Sequence, residues 1–146
     1  ERRLKTLFKL PDKLGCGALI MIDADGLKQI NDKMGHEAGD AYLKSIADAL
    51  RSFGGTNSLC ARQGGDEFVL FLHNFGSEEQ VEEQLKRLSD IQQNGSARLG
   101  ENKTVPVKFS FGVSLLDGSG DFRSLLKAAD EKMYASKRLR KEAQSC

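Results

Sequence analysis

Arg62-Gln63-Gly64-Gly65-Asp66-Glu67-Phe68 joins two strand-like runs, Leu59 to Arg62 and Glu67 to Leu72. Paired glycines between apolar runs predict a tight hairpin, with Gly64 and Gly65 supplying the positive φ angles such a turn requires. Upstream, Ala18-Leu19-Ile20-Met21-Ile22 reads as a buried strand ending on Asp23, and Leu27 to Met34 as about two helical turns stopped by a left-handed Gly35. Asp40 is placed to cap a further helix whose Leu43, Ile46, Ala47 and Leu50 share one face and which should end near Gly54-Gly55. Before all of these, Leu4, Leu7 and Phe8 suggest a short amphipathic helix ended by Leu10-Pro11. Downstream, Ser77-Glu78-Glu79-Gln80 is a capping-box pattern ahead of Val81, Leu85, Leu88 and Ile91 at helical spacing. Val107, Phe109, Phe111, Val113 and Leu115 alternate with smaller or polar residues, the period of a fourth strand. Phe122, Leu125, Leu126, Ala129 and Met133 mark a last amphipathic helix with a basic end, Lys137 to Lys141. This order predicts an α/β (α+β) sandwich of the split-βαβ, ferredoxin-like kind, with helices against a mostly antiparallel sheet.

Composition narrows the function classes. The chain has 146 residues, 39% hydrophobic and 29% charged, which suits one domain with one packed core. A net charge of +1 gives no global field for nucleic acid or an anionic membrane, so neither is an expected partner of this domain. Cys16, Cys60 and Cys146 are an odd count without Cys-x-x-Cys spacing, which argues against a disulfide framework or a zinc site and for a reducing, cytoplasmic setting. Ala18 to Ile22 and Phe68 to Leu72 are far too short to span a bilayer, and Glu1-Arg2-Arg3-Leu4-Lys5 lacks the apolar centre of a signal peptide. A longer parent protein could still be membrane-anchored.

The predicted topology can bring Asp23 and Asp25, after the first strand, beside Asp66 and Glu67 at the hairpin tip. Gathered carboxylates repel unless a divalent cation neutralises them, and hard oxygen donors of this kind suit magnesium bound with a substrate phosphate. Amides around Gly26 and Leu27, at a strand-to-helix turn, could hold the phosphate oxygens. Taken singly, the same residues also read as a strand end, a turn and a solvated hairpin.

Gly64 to Phe68 spells the GGDEF motif, and it is accompanied by Asp23-Ala24-Asp25-Gly26-Leu27-Lys28-Gln29-Ile30-Asn31-Asp32, Gly35-His36-Glu37-Ala38-Gly39-Asp40, Ser110-Phe111-Gly112-Val113-Ser114, and Ala129-Asp130 through Lys137. In order and spacing this resembles the GGDEF, or diguanylate cyclase, family over nearly the whole chain. The resemblance implies a palm-type, nucleotidyl-cyclase-like sheet and an enzyme that joins two GTP molecules into cyclic di-GMP, each 3′-hydroxyl attacking the other's α-phosphate. It implies magnesium, with manganese as the alternative, on Asp23, Asp66, Glu67 and the Ala24 carbonyl. Asp66 or Glu67, Asp66 by preference, would accept the hydroxyl proton. Asn31 and Asp40 resemble the guanine-reading pair, Lys28 and Lys137 the basic residues facing the phosphates. Each also has a plainer reading: polar helix residue, helix cap, solvated lysine. Arg62 would support the hairpin carboxylates or form a cross-strand ion pair, and His36 reads best as a packed residue holding the loop that presents Asp40.

The resemblance also implies a homodimer with two facing sites and an upstream sensory domain, this chain being a domain cut from a longer signalling protein. Departures from the family bear on function. Its inhibitory product site uses an Arg-x-x-Asp whose positions here are Gly55 and Ser58, so inhibition through that site is expected to be absent. Where the last helix normally carries Gly-Arg, this chain has Arg140-Lys141, and Lys141 keeps the charge but not the bidentate fork. The competing reading is a catalytically inactive module that binds GTP as a sensor or docking domain.

Overall fold

The computed structural model describes residues 15–53, 58–100, 103–116 and 121–145, with side chains as far as Leu139. In chain order the elements are β1 (Cys16–Ala24), α1 (Leu27–Met34), α2 (His36–Arg51), β2 (Ser58–Arg62), β3 (Glu67–Phe75), α3 (Glu78–Asn94), β4 (Ser96–Gly100), β5 (Lys103–Pro106), β6 (Phe109–Leu115) and α4 (Phe122–Ser145). The main sheet runs β2-β3-β1-β6 with every neighbouring pair antiparallel, the split-βαβ arrangement expected.

β1 is apolar without alternation because both its faces are covered. Ala18, Ile20 and Ile22 pack with Tyr42, Ile46 and Leu50 of α2 and with Val81 and Leu88 of α3. Leu19 and Met21 face the other way, with Val69, Phe71 and the α4 residues Ala129 and Met133. Fully burying one such side chain is worth about 1.5–3 kcal/mol. α4 lies directly on β6: a Cβ at Gly112 would stand 2.1 Å from the Ala129 carbonyl oxygen and 2.3 Å from the Met133 nitrogen. The Ser77 cap forms, its Oγ accepting from the Gln80 N–H at 3.3 Å, while Gln80 Oε1 reaches one residue past the cap to accept from the Gly76 N–H at 2.9 Å.

Several expectations need correcting. Asp40 is not a cap: α2 begins at His36, because Gly35 alone reverses the chain with φ 92° and ψ 166°, a conformation open to glycine. Gly35 thus has positive φ but not the left-handed helical stop expected. Gly64 and Gly65 do not adopt positive φ, which among the described residues occurs at Gly15, Gly26, Gly35 and Asn74. Their turn is closed instead by the Gln63 N–H donating to the Glu67 carbonyl at 2.8 Å. β1 runs on through Asp23 to Ala24, and the last strand starts at Phe109, since the Val107 N–H is spent on the Gly95 carbonyl at 3.0 Å. The ribbon β4–β5 was not expected; it stands apart from the main sheet and is fastened to α2 where the Arg98 N–H donates to Ser45 Oγ at 3.3 Å. The predicted opening helix, the stop at Gly54-Gly55 and Cys146 lie outside the described residues. Among the described residues no helix is long and apolar enough to cross a membrane, and Cys16 and Cys60 are free thiols.

Candidate active site

Strand register assembles the acidic end of the sheet. Asp23 of β1 lies opposite Glu67 of β3 on one side and Ser110 of β6 on the other. Past the ladder, the Ala24 N–H donates to the Asp66 carbonyl at 2.8 Å and the Asp25 N–H to the Lys108 carbonyl at 2.7 Å. The hairpin tip is thereby tied to the β1–α1 turn.

Asp23 is 4% exposed, and its Oδ2 accepts a hydrogen bond from Lys137 Nζ of α4. The same ammonium lies 3.5 Å from Asp25 Oδ1, while Ser110 Oγ donates to Asp25 Oδ2 at 2.9 Å. Asp23 Oδ1 is buried and has no hydrogen-bond partner among the described residues. Burial lifts the Asp23 carboxyl above the usual range; Lys137 pulls it back, and the charges of Asp66 and Asp25 push it up again. Glu67 is raised by burial and by the charges of Asp23, Asp130 and Asp66. Burial alone would lower the Lys137 ammonium, but the hydrogen bond to Asp23 and the two aspartate charges carry it above its ordinary value.

The β1–α1 turn leaves the start of α1 open. Gly26 caps α1 at φ 80°, ψ 4°, with no side-chain cap and no acid in the first turn, so the positive end of the helix is left uncompensated. Tyr42, buried on α2, holds this turn down: its hydroxyl donates to the Asp25 carbonyl at 2.8 Å and accepts from the Lys108 N–H at 2.8 Å. Sequence reading passed over Tyr42. Its one signal was a hydroxyl on the apolar face of a helix, which demands a partner.

A cavity of about 650 Å³ opens here, lined by Ala24, Gly26, Leu27, Lys28, Asp66 and Lys137 among others, with Lys33 and Lys108 adding charge. Asn31, His36 and Asp40 are not on its wall. Asn31 is half-buried at the α1–α2 junction, where a Cβ on Gly39 would stand only 1.8 Å from its Oδ1, so Gly39 makes room for the amide. Asp40 is exposed and lines a second cavity of about 410 Å³ with Lys44, Arg51 and Arg62. His36, expected to be packed, is exposed in the first turn of α2, where no presenting loop exists for it to hold. Arg62 reaches neither carboxylate: Nε donates to the Gly64 carbonyl at 3.0 Å and the guanidinium also donates to that of Gly65, pinning the turn. Lys28 is exposed on the cavity rim, and the Lys137 side chain is bound to carboxylates rather than facing outward. Ser58 donates to the Phe53 carbonyl; Gly55 and the Lys141 side chain lie outside what is described.

Asp23, Ala24, Asp66 and Glu67 are thus brought to one end of the sheet, but no three acidic, histidine or cysteine side chains converge into a ready-made metal site among the described residues. The donor chemistry still fits a hard cation. Asp23 offers one uncommitted oxygen, and magnesium commonly takes one or two carboxylates and completes its shell with water and phosphate oxygens.

The sequence model of the family described as diguanylate cyclase, GGDEF domain, matches residues 1–143. The chain belongs to the GGDEF family. Diguanylate cyclase DgcN of Escherichia coli (strain K12) is 33% identical over 139 residues, 95% of this chain and 34% of that protein. This GGDEF chain therefore spans about a third of that relative's length. Among solved structures, a truncated PA1120 (TpbB or YfiN) of Pseudomonas aeruginosa comprising only the GGDEF domain has a TM-score of 0.81 at 32% identity, covering 94% of this chain and 81% of that one. The active GGEEF domain of a diguanylate cyclase from Vibrio cholerae has a TM-score of 0.69 at 27% identity, covering 94% and 90%. The α+β sheet with flanking helices is the GGDEF fold.

Proposed function

We propose that this GGDEF domain is a diguanylate cyclase, condensing two GTP molecules into cyclic di-GMP and two pyrophosphates. One observation carries the reading: the Asp66 main chain is bonded to Ala24, which sets Asp66 beside the uncapped turn of α1 on a single cavity. The amides at Gly26 and Leu27 hold phosphate oxygens, with Lys28, Lys137 and Lys141 adding positive charge. Asp23, Asp66, Glu67 and the Ala24 carbonyl would hold magnesium or manganese, which supplies charge neutralisation and acidifies a bound hydroxyl. Asn31 and Asp40 read the guanine edge, and His36 lies at the start of the helix that carries Asp40.

The 3′-hydroxyl of one nucleotide attacks the α-phosphate of the other. A new P–O bond forms as the bond to the β-phosphate breaks, pyrophosphate departs, and the hydroxyl proton passes to Asp66. Because each site holds one GTP, turnover needs two domains face to face, in a homodimer that an upstream sensory domain would assemble in the cytoplasm. A second reading, GTP binding without turnover, is favoured by the carboxylates that do not converge and by the lysine already seated on Asp23.

Incubation at high concentration with GTP and magnesium, followed by chromatography, separates the two. Cyclic di-GMP that disappears in Asp66→Ala supports the cyclase. GTP binding without product, even when a fused coiled coil forces dimers, overturns it in favour of the binding module.

A further inference from the structure

We propose that Lys137 holds the place of the divalent cation in the nucleotide-free protein, so that the cation enters together with a nucleotide that draws Lys137 away. The inference rests on reading this cavity as a metal-dependent nucleotide site, and it adds an order of events to that reading.

One ammonium serves two carboxylates here. Lys137 donates to Asp23 Oδ2, lies 3.5 Å from Asp25 Oδ1, and is only 21% exposed. The second oxygen of Asp25 is taken by Ser110, so the oxygen left over is Asp23 Oδ1, buried beside the ammonium. A dication arriving at that oxygen alone meets a fixed positive charge within a few ångströms, in surroundings that screen poorly, and repulsion opposes it. The backbone of α4 cannot carry the charge off, because Gly112 leaves no gap between the helix and β6. The side chain can move. Its four-carbon stem is flexible, and Lys137 itself lines the cavity.

A triphosphate in that cavity changes the balance. Its oxygens offer Lys137 as much negative charge as the two aspartates did, and Asp23, once vacated, takes the dication in exchange. Each ligand then raises the affinity for the other by the same factor, as linkage requires. Without nucleotide, the protein is a poor metal binder even though its carboxylates are intact.

The test is manganese alone, titrated into the nucleotide-free protein and followed by the paramagnetic resonance of free Mn²⁺, in the wild type, Lys137→Met and Lys137→Arg. Lys137→Met should bind Mn²⁺ about tenfold more tightly than the wild type, while Lys137→Arg, which keeps the charge, should stay weak. Equal affinity in wild type and Lys137→Met overturns the proposal. Should the methionine variant not fold, nitrogen NMR of the Lys137 ammonium in the wild type decides. Its signal should be unmoved by magnesium alone and shift when magnesium is added with a non-reacting GTP analogue; a shift with magnesium alone overturns the proposal. An analogue that binds under no condition removes the GTP reading, while the Mn²⁺ comparison still decides whether Lys137 keeps the cation out.

Discussion

Tyr42 joins two segments that the chain itself keeps far apart, the β1–α1 turn and the residue before β6. Phenylalanine in its place keeps the ring in the core but leaves the Lys108 N–H and the Asp25 carbonyl short of a partner. We expect Tyr42→Phe to lose about 1–3 kcal/mol in urea unfolding, the cost of unsatisfied buried polar groups. The turn should loosen with it, so calorimetry should find weaker GTP binding than in the wild type. Unchanged binding with lowered stability would mean that the hydroxyl serves the fold alone. Asp40 and His36 carry the opposite lesson. Read locally, Asp40 looks like a cap, yet the unusual backbone of Gly35 caps the helix five residues earlier and leaves both side chains in solvent.

Among the elements, α4 depends on a residue that is not its own. Any side chain at Gly112 runs into the helix backbone at Ala129 and Met133, which cannot yield as a side-chain tip can. Gly112→Ala should cost about 2–3 kcal/mol by overpacking, and should also separate Lys137 from Asp23, visible as altered lysine ammonium signals in NMR. The elements that sequence reading recovered are those with a strong local period: the run of β1, the paired runs of β2 and β3, the Ser77–Gln80 cap, the face of α4. The ribbon β4–β5 escaped because Ser96 to Gly100 and Lys103 to Pro106 are short and without a clear period, and their support comes from far along the chain, Ala97 entering the core and the Arg98 N–H reaching Ser45. The acidic end of the site was legible as a motif. The pairing of Lys137 with Asp23 was not, since 114 residues separate the partners and only the placing of α4 across the sheet brings them together.

At the scale of the whole molecule, stability should respond to acid through His73. It is half-buried on β3 with its ring 5.3 Å from that of Phe71, and burial lowers its pKa below the ordinary 6.5. The unfolded chain then takes up the proton first, so the contribution is complete above pH 6.5 and is lost as pH falls toward the lowered folded value. Asp23 and Glu67 slope the other way. Their folded forms hold protons above the ordinary 3.8 and 4.5, so stability declines as pH rises from those values through the raised ones. Urea midpoints measured just below pH 6.5 should climb toward that value in the wild type, and His73→Gln should remove that climb. An identical climb in the variant would place the titrating group elsewhere.

β3 starts at Glu67, among the carboxylates, and ends at Phe75, beside the exposed Asn74. Nine residues of strand put roughly 27 Å between those ends. A dye or a solid support coupled at position 74 would therefore stand at the back of the molecule. Domains anchored in that way would form an oriented layer, each turning its acidic end outward to whatever is brought up to it.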